Sequence, residues 1–152
     1  MEKYVLRMLV ENQKGVMARI ATLLARKGYN ISSACVGRHF DRNEATIVLM
    51  IKGNEDEVQQ AKSQLGKVVN VISIEVFPAK DAFLREQALF KIRAKKGLKE
   101  MLDSFGAKTL ETREGCAIVE FIDRPERMKE FIEAVSKGFE IVEMSRSGTN
   151  VI

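Results

Sequence analysis

With 152 residues, the chain makes one ordinary domain or two small ones; 45% apolar residues are enough for a core and 30% charged residues suit a soluble protein. The longest apolar run, residues 47–51, is far too short to span a bilayer, and the charged, strand-like N-terminus does not read as a signal peptide, so a cytoplasmic protein is expected. The net charge of +4 raises nucleic acid as a partner, but the excess is dilute, +3 over residues 1–77 and +1 over 78–152; the one basic cluster, Lys91, Arg93, Lys95, Lys96 and Lys99, reads as a solvated surface.

In chain order, residues 1–10 place apolar side chains on both faces and predict a central strand. Val16, Ile20, Leu23, Leu24 and Lys27 follow helical spacing, with Gly28 at the helix end and Arg19 and Arg26 on the other side. A strand follows over 30–38, a turn at Asp41-Arg42-Asn43, and a β-branched strand over 45–51. Asn54 caps a second helix whose apolar face is Val58, Ala61 and Leu65, and residues 68–77 predict a fourth strand. After a linker at 78–86 the same order returns. Strands are expected at 89–94, 107–111, 116–122 and 139–144. One helix face is Leu98, Met101, Leu102 and Phe105. Another is Met128, Phe131, Ile132 and Val135, capped by Asp123, with Pro125 in its first turn.

The fold class is therefore α+β: two consecutive ferredoxin-like βαββαβ modules, over 1–77 and 87–152. Each is small, and the sheet face that its helices leave bare calls for a partner, so dimerisation or a subunit contact is expected.

Chemistry concentrates in the turn Glu11-Asn12-Gln13-Lys14-Gly15-Val16. A strand runs into a polar turn there, and a glycine opens a helix. The N–H groups of Val16 and Met17 and the amide of Asn12 then form a site for a small carboxylate such as an amino acid, with Val16 and Ile31 as an apolar wall for its side chain. Asn30-Ile31, beyond the helix, starts the next strand. A plain Asx turn at Asn12, with Gly15 serving only the turn, is the competing reading. Nothing resembles a catalytic constellation: His39 is the only histidine, Cys35 and Cys116 lie far apart as reduced structural thiols, and no metal-ligand spacing occurs. No cofactor and no metal are expected on this chain.

The segments 10–20 and 26–33, with Asn12-x-x-Gly15-Val16 and Gly28-Tyr29-Asn30-Ile31, resemble the ACT domain of the acetolactate (acetohydroxyacid) synthase small subunit. The resemblance continues through Val36-Gly37, residues 64–72, Leu84-Arg85-Glu86, residues 89–92 and 139–148, so it covers nearly the whole chain in order; Asn43-Glu44-Ala45-Thr46 departs from the family pattern. It implies a non-catalytic regulatory subunit that binds and activates a large subunit and confers feedback inhibition by valine or a related branched-chain amino acid. Thiamine diphosphate, magnesium and FAD would belong to that catalytic partner. It also implies an ACT-mediated homodimer with the effector between chains, touching Asn12, Gly15, Val16 and Met17 of one and Asn30 and Ile31 of the other, with Ala18 close by. A stand-alone amino-acid sensor and a scaffolding subunit without effector response are the alternatives.

Overall fold

The computed structural model describes residues 2–40 and 43–152. Its elements run β1 (Glu2–Glu11), α1 (Val16–Arg26), β2 (Ile31–Arg38), β3 (Glu44–Gly53), α2 (Glu55–Leu65), β4 (Val71–Pro78), β5 (Leu84–Arg93), α3 (Leu98–Phe105), β6 (Lys108–Arg113), β7 (Cys116–Asp123), α4 (Pro125–Gly138) and β8 (Ile141–Val151). The order βαββαβ occurs twice, as the hydrophobic periodicity predicts. The chain divides into two compact units, residues 1–83 with 149–152, and residues 84–148.

In the first unit the sheet order is β2-β3-β1-β4. All three pairings are antiparallel. The even-numbered apolar residues of β1, from Tyr4 to Val10, and Ile47, Leu49 and Ile51 of β3 point to one face. There they pack against Val16, Ile20 and Leu24 of α1 and Val58, Ala61 and Leu65 of α2. Helix α1 ends in a Schellman motif: Gly28, at φ 77°, donates to the Ala25 carbonyl and Tyr29 to that of Leu24, each at 3.0 Å. Helix α2 starts in a full capping box, Asn54 Oδ1 accepting from Glu57 N–H at 2.9 Å and Glu57 Oε2 from Asn54 N–H at 2.8 Å.

The second unit repeats the order as β6-β7-β5-β8. Its core is aromatic: the rings of Phe121 and Phe131 stack at 4.4 Å, and Phe90 and Phe105 meet Phe131 edge-on at 5.1 and 5.3 Å. Buried Met128 and Val135 of α4 and Leu98 and Leu102 of α3 complete it.

Several expectations need correction. The strand predicted from residue 68 begins at Val71, because Lys67, Val68 and Val71 donate to the carbonyls of Gln64, Leu65 and Val68 in successive turns, which leaves Val69 90% exposed. Strand β5 starts at Leu84, inside the stretch read as linker, and β8 runs to Val151 rather than stopping at 144. Asp123 ends β7; its Oδ1 accepts the Arg124 N–H at 2.7 Å, and the cap position of α4 is Arg124. The turn expected at Asp41-Arg42-Asn43 lies outside the described residues except for Asn43.

The first sheet's second face is also not bare. Val5, Val48 and Met50 point away from the helices, yet each is at most 5% exposed. Asn150, Val151 and Ile152 line a cavity of about 390 Å³ with Arg7, Leu9, Cys35 and Val48 on that face. The Thr149 N–H donates to Ser33 Oγ at 2.7 Å. The last four residues thus supply part of the cover that the sequence leaves to a partner. In the second unit, Leu89 and Ile122 on the corresponding face remain about half exposed.

Candidate effector site

The turn after β1 is built largely by its own backbone. Asn12 N–H donates to the Asn43 carbonyl at 2.6 Å and Gln13 N–H to that of Glu11 at 2.8 Å. Gly15 then takes φ 85° and ψ −6°, a left-handed conformation that L side chains adopt at a cost, and Arg19 N–H meets its carbonyl at 3.0 Å. No side chain caps this helix end, in contrast to α2. A Cβ built on Gly15 would have no neighbour within 4 Å, so the glycine serves the backbone angle and leaves open space beside the turn.

Two features differ from the sequence reading. The Val16 side chain is 3% exposed and sits in the core, because it is the first residue of the buried α1 stripe, so it presents little apolar surface beside the turn. Its N–H points back to the Gln13 carbonyl at 3.4 Å, a long contact that closes the turn. Met17 is 37% exposed and is the apolar side chain the helix start presents outward.

Asn30 is exposed and Ile31 is half-buried against the first core. The preceding Tyr29 anchors this segment, its Oη donating to the Glu57 carbonyl at 2.6 Å; burial, with the Glu57 charge second, pushes its phenol above the usual range. A bulge between Ile31 and Ser33 follows directly. A second bulge interrupts the pairing of β1 with β4 between Leu9 and Val10, beside the turn.

Within one chain the two segments are not brought together. Ile31 pairs with Ile51, which pairs with Tyr4, whereas the turn follows Glu11. About seven residues of β1 separate these levels, about 23 Å at strand rise. The turn and Asn30-Ile31 stand at opposite ends of the sheet.

The sequence reading missed the group that holds the turn. Asn70, 6% exposed, precedes β4. Its Nδ2 donates to Glu11 Oε2 at 2.8 Å and approaches Gln13 Oε1 at 3.5 Å, its Oδ1 accepts from Arg19 Nη1, and its carbonyl accepts the Glu11 N–H at 2.9 Å. The available signal was an asparagine breaking the apolar run of residues 68–72.

Elsewhere, His39 Nδ1 lies 3.3 Å from Thr46 Oγ1, and Cys35 and Cys116 are free thiols. Among the described residues no group of three or more His, Cys, Asp or Glu is placed to hold a metal ion. No helix of the described residues is long and apolar enough to cross a membrane.

Paired ferredoxin-like modules, with a glycine-opened, uncapped helix in the first, define a tandem ACT-type protein. Residues 6–73 match the family described as AHAS small subunit-like ACT domain, and residues 85–152 match the family described as small subunit of acetolactate synthase. A small subunit from Mycobacterium avium is 33% identical over 114 residues, 72% of this chain and 68% of that protein. The chloroplastic acetolactate synthase small subunit 2 of Arabidopsis thaliana is 33% identical over 150 residues, 96% of this chain but only 31% of the longer plant protein. The crystal structure of the Thermotoga maritima small subunit superposes with a TM-score of 0.89 at 29% identity, covering 100% of this chain and 97% of that one. The chain belongs to the acetolactate synthase small subunit family.

Proposed function

We propose that this chain is the regulatory subunit of an acetolactate synthase, acting in branched-chain amino acid biosynthesis, and that it binds valine or a related amino acid between two copies of its first module. The observation that carries the reading is the separation of about 23 Å, about seven residues of strand, between Asn12–Val16 and Asn30-Ile31 in one chain. A ligand the size of valine cannot touch both ends of one sheet. Strand β2 lies at the sheet edge, and an unpaired edge invites a second strand. Antiparallel pairing of two β2 edges across a twofold axis reverses one copy. It carries the partner's Asn30-Ile31 to the Arg38 end, which is also the end where β1 enters the turn, since Arg38 and Val10 both stand opposite Ala45.

The Met17 N–H at the α1 start and the helix dipole favour the effector carboxylate, Asn12 and Asn30 supply polar contacts, and Met17 and Ile31 face its side chain. Gly15 keeps the approach open. Inhibition needs the effector to prefer one arrangement of the assembly, and a coupling of about 1–3 kcal/mol is sufficient. The chemistry belongs to a catalytic large subunit in the cytoplasm, which carries thiamine diphosphate, magnesium and FAD; this subunit raises its activity and lends it feedback control.

Co-purification with the large subunit, assayed for acetolactate formation with and without valine, tests the reading. Activation together with inhibition by valine is expected, and Asn30→Ala is expected to keep the activation and weaken the inhibition. Activation with no response to any branched-chain amino acid would leave a scaffolding subunit. Valine binding without association with the large subunit would leave a stand-alone sensor.

A further inference from the structure

We infer that Asn70 is the positioning residue of the effector turn, a role that rests on reading that turn as the effector site. Its side chain is almost wholly buried, yet every polar group on it is used. On one side stands Arg19, which can only donate; on the other stands the Glu11 carboxylate, which only accepts when ionised. The primary amide presents an acceptor, Oδ1, to the first and, on a separate atom, a donor, Nδ2, to the second. Glu11 and Gln13 flank Asn12, so Asn70 grips the turn on both sides of the residue that meets the ligand.

Arg19 lies in the first turn of α1 and its N–H bonds the Gly15 carbonyl, so the same amide ties the helix start to the end of β1. The carbonyl of Asn70 adds a fourth tie through Glu11 N–H. A loop held in this way before the ligand arrives loses less entropy on binding.

The donor–acceptor pattern can be inverted. In Asn70→Asp two carboxylates face each other and the tie to Glu11 is lost. Adding Glu11→Gln supplies an amide donor to the new carboxylate at position 70, which still accepts from Arg19. With the full-length chain and L-valine as the probe, isothermal calorimetry is expected to show affinity falling about tenfold in Asn70→Asp and recovering to within about threefold of the native value in the double variant. Asn70→Ala is expected to lose affinity and not to recover with Glu11→Gln. A residue needed only for stability would not show rescue specific to the inverted pair.

Amide hydrogen exchange over residues 11–17, measured without ligand, separates this role from the effector reading. Exchange there is expected to quicken in Asn70→Asp and slow again in the double variant. Unchanged exchange overturns the positioning role whether or not valine binds. Exchange behaviour as expected, with no valine heat from the native chain, overturns the effector reading instead. If Asn70→Asp fails to fold, Arg19→Met and Glu11→Met remove one partner each. Native-like exchange over residues 11–17 in both overturns the proposal.

Discussion

Glu86 and Arg146 form a two-point ion pair in which the carboxylate is 3% exposed and the guanidinium 42%, with Nε–Oε1 at 2.5 Å and Nη2–Oε2 at 2.9 Å. The hydrogen bond to Glu86 holds Arg146 protonated above its ordinary range, against the opposing effect of burial. Arg146→Ala would leave the Glu86 carboxylate buried and unpaired. The expected loss is about 3 kcal/mol, the low end for a broken buried pair because water reaches the arginine side. Replacing both residues, as in Glu86→Leu with Arg146→Met, should recover most of it. Urea denaturation of the three variants checks this, and equal losses in the single and double variants would contradict it.

Gly15 and Gly97 make a matched pair. They open α1 and α3 at φ 85°, ψ −6° and φ 88°, ψ −7°, both without a capping side chain. An added Cβ meets nothing within 4 Å at Gly15 and only Phe139 at 4.0 Å at Gly97. Alanine at either position should therefore cost about 1–2 kcal/mol of backbone strain and little else in the isolated chain. Valine binding should weaken in Gly15→Ala alone, because Asn12 stands in the first turn while Lys95-Lys96-Gly97 in the second carries no asparagine. Thermal melts give the first comparison and calorimetry the second. Equal loss of valine affinity in both would place the site elsewhere.

The contrast between these two turns marks what the sequence makes legible. Local rules found them both: an apolar strand, a glycine, then i, i+3, i+4 spacing with Ile20 and Leu24 or Leu98 and Leu102 inward. The capping pair Asn54 and Glu57 was readable for the same reason, being three residues apart. Asn70 was not, since its partners Glu11 and Arg19 lie 59 and 51 residues away and only the β1–β4 pairing brings them together. Val68-Val69 misled because β-branched residues read as strand, while the backbone there was already committed to turns behind α2. The cover beside Leu9 and Val48 was invisible for a third reason: it comes from the far end of the chain.

The two tyrosines of the chain, Tyr4 and Tyr29, report on the first core. Burial is the leading cause that raises both phenols above the ordinary value of 10.0, with the bond from Tyr4 to Glu2 next for one and the charge of Glu57 for the other. A folded-state value above the unfolded one means that the native chain holds the phenolic proton more tightly. The stabilising contribution is then complete below the unfolded value of 10.0 and disappears as pH climbs through the raised value. Tyrosinate absorbance of the native chain should therefore develop above pH 10.0 and shift down to the ordinary value in denaturant. Tyr29→Phe should make the alkaline loss of stability less steep. A native titration centred at or below pH 10.0 would contradict the burial of both rings.

Ser33 and the last four residues give the remaining prediction. The Thr149 N–H has Ser33 Oγ as its partner at 2.7 Å, and Thr149 is 3% exposed. Ser33→Ala leaves that amide buried without an acceptor, at an expected cost of about 1–3 kcal/mol. Removing residues 149–152 acts differently, because it also takes away Asn150, Val151 and Ile152, which line the cavity with Leu9 and Val48 on this sheet face, and exposes apolar surface there. Such a patch favours self-association. The alanine variant should lower the denaturation midpoint at an unchanged oligomeric state. The deletion should lower the midpoint and also raise the mass seen by light scattering as concentration increases. A deletion variant with native mass and native midpoint would show that the tail is not what covers this face.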